Sequence, residues 1–141
     1  MRKKKKMKNN YQIGDWVYDS ARTKYPMQVV AVFGERNGNI CDLDLDFEDN
    51  EGDVYQRKAD EVEPIPITAE ILRKNGFNLV TFYNGFVCRW GDIDKKHISW
   101  SDCYTVIDGY DSERVFKGYT IYVNELQQAL RLCGIDKEIK L

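Results

Sequence analysis

Between residues 39 and 48 the chain alternates without a break, with Cys41, Leu43, Leu45 and Phe47 on one parity and Asp42, Asp44, Asp46 and Glu48 on the other. Strand side chains point to opposite faces in turn, so this period of 2 predicts a strand with one buried face and one acidic face. Upstream, residues 11–19 have strand composition, with Ile13 and Val17 on one face and Trp16 and Tyr18 on the other, interrupted at Gly14 and Asp15. A polar loop over 20–25 ends at Pro26, and 27–33 is a nearly continuous apolar run of the kind that is covered on both faces. Turns follow at 34–38 and 49–53, with glycine supplying positive φ. A short strand at 54–57 and an extended piece at 61–67 complete this half. Pro64 and Pro66 remove ladder donors and place the last piece at an edge. Short strands joined by tight turns predict a small β-barrel over 11–67.

Beyond Pro66 the period changes. Residues 68–76 read as a two-turn helix, with Thr68 as N-cap, Glu70 in the first turn where the dipole favours an acid, and Asn75 and Gly76 as the stop. Strands at 78–83 and 86–90 flank Asn84 and Gly85, a strong hairpin signal. Further strands are expected at 96–101, 103–108 and 114–122. A second helix is expected at 124–133, with Asn124 and Gln127 spaced as a capping box and Leu126, Leu130 and Cys133 as its apolar stripe. Residues 1–10 lack apolar periodicity and read as a disordered basic tail. The chain thus divides into that tail, a barrel module over 11–67, and an α+β module over 68–141 packed on it.

Charge alters this picture more than composition does. The 141 residues carry a formal charge of −2, but Arg2, Lys3, Lys4, Lys5, Lys6 and Lys8 are six of the 21 bases, leaving 15 against 23 acids, or −8, in the rest. No stretch approaches the roughly 20 apolar residues of a membrane span, and the basic start lacks the apolar segment of an export signal. Cys41, Cys88, Cys103 and Cys133 are scattered, and His97 is the single histidine, so zinc spacing is absent and reduced thiols in a cytoplasmic setting are expected. The phosphate-loop, dinucleotide, nucleophile-elbow and zinc-protease motifs are missing as well. No enzyme and no cofactor are expected.

The most suggestive feature is the run from Asp42 to Asp53, with seven carboxylates and no base. It fails the calcium-loop pattern, because counting from Asp44 places Asp49 where glycine is needed and Tyr55 where the bidentate acid is needed. A solvated face that discourages edge pairing, or a face for a basic partner, fits better. His97 and Ser99 share one strand face above Ile98 and Trp100, which reads as a surface histidine over an apolar underside. Eleven of the 18 aromatics lie between Phe77 and Tyr122, but the bases there (Arg89, Lys95, Lys96, Arg114, Lys117) are mixed with Asp92, Asp94, Asp102, Asp108, Asp111 and Glu113. That mixture gives no basic stripe, so an aromatic core is expected.

Two stretches carry resemblances. Ile13-Gly-Asp-Trp-Val-Tyr18 with Gln28-Val-Val-Ala-Val32 resembles the opening of SH3-like barrels of the KOW or Tudor type. Ile65-Pro-Ile-Thr-Ala-Glu-Ile-Leu-Arg-Lys-Asn-Gly-Phe77 with Tyr122-Val-Asn-Glu-Leu-Gln-Gln-Ala-Leu130 resembles an uncharacterised family of short bacterial and phage proteins, with Asn124 where that family has histidine. The resemblance implies an SH3-like start, a terminal helix and a mobile-element or prophage context, and it implies no activity. The fold expected is α+β: a small SH3-like β-barrel, a helix, an antiparallel sheet and a C-terminal helix. The function expected is a non-enzymatic module binding a protein partner through Trp16, Tyr18, Asp42, Asp44 and Asp46. The alternatives are weak, non-specific nucleic-acid binding through the basic tail and barrel, and an enzyme of unrecognised type.

Overall fold

In a computed structural model, residues 11–36, 39–48, 50–83, 85–91, 96–109 and 114–141 are described, without the side chains at 22–24, 35–36, 39–41 and 114. The basic tail, Asn84, Asp92, Asp94, Lys95, Tyr110, Asp111 and Glu113, and the side chain of Cys41, therefore lie outside the description. The chain is mixed α and β, mostly sheet, and forms two compact units, Met1–Ile65 and Pro66–Leu141. Among the described residues no helix is long and apolar enough to cross a membrane.

The first unit is an antiparallel sheet of β1 (Trp16–Asp19), β2 (Arg22–Arg36), β3 (Asn39–Asp46), β4 (Tyr55–Lys58) and β5 (Val62–Pro64), in the order β4-β3-β2-β1-β5. A single 3-10 turn, Ala59–Glu61, carries the chain from one edge strand to the other. The strict alternation of β3 is realised: Leu43 and Leu45 are fully buried with Val17, Met27 and Val29, whereas Asp42 and Asp44 are half-buried and Asp46 is exposed. Tyr11, Ala59 and Val62 complete this core, and Phe47 packs between Tyr25 and Tyr55 with edge-to-face ring contacts 5.7 and 5.6 Å apart.

Four expectations are corrected here. The loop at 20–25 is instead a tight turn at Ser20 and Ala21, where the Asp19 carboxylate accepts the Ala21 N–H at 3.0 Å and Asp19 pairs with Arg22. Pro26 is tolerated inside β2 because pairing with β3 begins at Gln28, so its missing N–H interrupts no ladder on that side. The turn expected from Gly34 gives way to strand as far as Arg36, paired with Asn39. Ile13 is 61% exposed in a turn, and Asp15 takes the buried place, accepting the Gln12 N–H at 2.8 Å. Nor does any pairing close β4 onto β5 among the described residues, so the sheet is open; its edge strands are only four and three residues long.

The second unit is an antiparallel meander of β6 (Asn78–Phe82), β7 (Gly85–Gly91), β8 (His97–Ser101), β9 (Tyr104–Asp108) and β10 (Arg114–Tyr119), preceded by α1 (Ala69–Lys74) and followed by α2 (Val123–Leu132). Cys88, Ile98, Trp100, Thr105 and Ile107 share one face by register and are buried, as are Leu72 of α1 and Val123, Leu126 and Leu130 of α2. Thr68 caps α1, its hydroxyl accepting the Ile71 N–H at 3.2 Å. The β8–β9 turn is made by Asp102 and Cys103, both with positive φ (50° and 64°), so Cys103 belongs to the turn and not to the expected strand.

The cap of α2 also differs from expectation. Glu125 performs it, its carboxylate accepting the N–H groups of Ile121 and Tyr122 at 2.9 Å each. Asn124 and Gln127 lie inside the helix and are buried. Gln127 donates to the Lys137 carbonyl at 2.9 Å and accepts the Ile139 N–H at 2.7 Å. Asn75 does the same for Lys140, donating to its carbonyl at 2.8 Å and accepting its N–H at 2.7 Å. Two side-chain amides thus replace a strand partner for the C-terminal segment, whose Ile135 and Ile139 are buried.

Candidate functional site

Antiparallel partners face the same side, so register decides which side chains share a surface. In the first unit Trp16 pairs with Gln28, and Gln28 with Asp46; Tyr18 pairs with Pro26 and Glu63. Asp44 lies between Ala31 and Gln56, and Asp42 between Phe33 and Lys58. The five residues singled out from sequence therefore occupy one outer face, opposite Val17, Leu43 and Leu45. A register shift between Val29 and Ala31 leaves Val30 unpaired on the ladder and 48% exposed.

That shift and the β3–β4 turn enclose a cleft of about 190 Å³ lined by Val30, Asp44, Leu45, Asp46, Gly52, Asp53 and Val54. Asn50 shapes its rim. Its amide donates to the Asp53 carbonyl at 2.6 Å and to an Asp46 carboxylate oxygen at 3.2 Å. Gly52, with φ +80°, makes the turn, and Val54 is 77% exposed. Asp44 Oδ1 is withdrawn from solvent with no hydrogen-bond partner among the described residues. An unsatisfied buried acceptor costs about 1–3 kcal/mol, a demand that a cationic donor meets. Three carboxylates beside two valines suit a side chain with an apolar stem and a cationic head. Val30 and Val54 escape the sequence reading as site residues because only the shift and the turn bring them to the acidic strand, whereas Asp53 closes the acidic run already seen in the sequence.

One further acid that looks like a surface residue in the sequence is structural. Asp19 is fully buried, bonded to the Tyr55 hydroxyl and 3.2 Å from the Arg57 guanidinium, which also reaches Glu61 at 3.1 Å. Such a network stabilises only as a complete set, because one partner removed leaves a buried charge.

In the second unit His97 Nε2 stands 3.4 Å from Asp108 Oδ2, and both groups are half-buried on the face opposite Cys88. Histidine and buried thiol therefore cannot act as a pair. Burial pushes the Cys88 thiol above its ordinary pKa, with Arg73 partly opposing, and does the same to Cys133 against Lys96. Both are held as poorly nucleophilic thiols. Among the described residues no group of three or more His, Cys, Asp or Glu side chains is placed to hold a metal ion. No family model, curated protein or solved structure matches the chain.

Proposed function

We propose that the chain is a non-enzymatic interaction module whose first unit docks a lysine or arginine side chain of a partner protein on its acidic outer face. One observation carries the reading: the unsatisfied Asp44 Oδ1 in a strand that lines a cleft of Asp46, Asp53, Val30 and Val54. The apolar stem of the incoming residue lies along the valines and its head meets the carboxylates. Trp16 and Tyr18, on the same face, supply contact area of the kind enriched at binding surfaces. The order β4-β3-β2-β1-β5, with a 3-10 turn before the last strand, supports an SH3-like description of this unit. The mobile-element context rests on the two motif stretches alone, and a cytoplasmic setting on the three cysteines that are free thiols among the described residues.

Calorimetric titration of the full chain with short lysine- or arginine-bearing peptides tests this. Binding is expected to weaken about ten- to a hundredfold in Asp44→Asn and to change little in Glu63→Gln, since loss of a charge-assisted bond costs about 1.5–3 kcal/mol. Equal affinity in Asp44→Asn, or no preference for basic over neutral peptides, overturns the reading. The second reading, non-specific nucleic-acid binding, rests on the six basic residues of the tail. It requires duplex affinity to fall steeply with salt and to disappear when residues 1–10 are removed.

A further inference from the structure

The second sheet buries one face and leaves the other open to solvent. Across the open face one row runs Tyr119, Tyr104, Ser101, and Val87 beside Val80. The next runs Lys117, Val106, Ser99, Arg89 and Asn78. Tyr119 is 73% exposed and meets Tyr104 edge to face with ring centroids 5.1 Å apart. Phe82, 52% exposed, lies under the Arg89 guanidinium at 5.7 Å. Arg89 and Lys117 are exposed, and neither ends on a carboxylate among the described residues. Among the described residues the acid on this face, Asp108, is engaged by His97.

We propose that this open face binds single-stranded nucleic acid, bases stacking on Tyr119, Tyr104 and Phe82 and phosphates meeting Arg89 and Lys117. The mixture of acids and bases in the sequence argues against such a surface only until it is sorted by face. Of the acids in this stretch, Asp102 sits in a turn, and Asp92, Asp94, Asp111 and Glu113 lie outside the described residues. What the open face presents among the described residues is two cations without a carboxylate partner, set among aromatic rings. Neighbouring strands are about 4.8 Å apart, so Lys117 on β10 and Arg89 on β7 are separated by about 14 Å, with the tyrosine row about 7 Å along the strands. Cations spread across a sheet with rings one row away match a polyanion whose bases are free to leave the backbone plane. A duplex hides those ring faces, so single strands are preferred.

Fluorescence anisotropy with the full chain and a labelled thymidine oligomer of about 12 nucleotides, single-stranded or annealed to its complement, tests the proposal. The single strand is expected to bind more tightly. Tyr119→Ala is expected to weaken single-strand binding about five- to a hundredfold while leaving duplex binding unmoved, and Tyr119→Phe to retain it. Arg89→Gln with Lys117→Gln is expected to reduce the slope of log affinity against log salt by about 1.4. Equal affinity for both forms with Tyr119→Ala unchanged assigns binding to the tail and overturns the proposal. No single-strand binding at about 50 mM salt also overturns it, where phosphate contacts are strongest. So does a peptide that binds this face while the oligomer does not.

Discussion

Two glycines separate conformational need from crowding. Gly91, at the end of β7, has φ +97°, and a Cβ there would lie 2.6 Å from the Lys96 carbonyl oxygen and 3.0 Å from His97 Cα. Both neighbours are backbone, so the β7–β8 pair must move to admit a methyl group. Gly52 has φ +80°, yet nothing lies within 4 Å of its added Cβ. Left-handed backbone costs an L-residue about 1–2 kcal/mol, so Gly52→Ala is expected to lose about that much. Gly91→Ala is expected to lose more, because an overpacking cost of about 1–3 kcal/mol adds to the same strain. Paired denaturant melts of the two variants check the difference. Equal losses would mean that the β7–β8 backbone yields freely and that Gly91 is kept for its φ alone.

Among the elements, the clearest prediction concerns the extended C-terminal segment, which owes its place to side chains of helices. Gln127→Ala removes two hydrogen bonds and leaves the Ile139 N–H and the Lys137 carbonyl without those partners. Each such group costs about 1–3 kcal/mol if it stays buried, so the segment is expected to detach before the sheet opens. Hydrogen exchange should then show Ile139 and Lys140 amides losing protection while Ile98 and Ile107 keep theirs; uniform loss across the unit would refute a locally held strap. The sequence did not disclose this arrangement. Gln127 stands three residues after Asn124, and that spacing also writes a capping box; only burial distinguishes the two uses of an amide. Where a pattern is local and periodic the reading was sound, as in the Leu43 and Asp44 alternation of β3 and the Thr68 cap of α1. Contacts made at long separation were illegible: Asp19 looks like any surface carboxylate until the strands bring Tyr55 and Arg57 to it. For the same reason the acidic strand was visible but its valine-lined cleft was not.

At the scale of the whole molecule, burial alters the titration of three groups that lie in one unit. Cys88, Cys133 and Lys137 all belong to Pro66–Leu141. Burial raises both thiols, so their stabilising contribution is complete below the unfolded thiol pKa of about 8.5 and is lost as pH rises through the higher folded values. Burial lowers Lys137, which has the opposite sign: its contribution is complete above the unfolded value of about 10.4 and is lost as pH falls. The Trp90 ring, 4.8 Å from the ammonium, favours the charged form and opposes that lowering. As pH rises through the ordinary thiol range the two thiols therefore lower the stability of the second unit while the lysine opposes them. Tryptophan reports the two separately: Trp16→Phe leaves Trp90 and Trp100 to follow the second unit, and Trp90→Phe with Trp100→Phe leaves Trp16 to follow the first. Thermal melts from neutral into alkaline pH should show a falling midpoint in the former protein, with the latter as the reference for the first unit. Cys88→Ala with Cys133→Ser in the former should flatten the fall; an undiminished fall in that variant would mean that alkaline loss is not carried by these thiols.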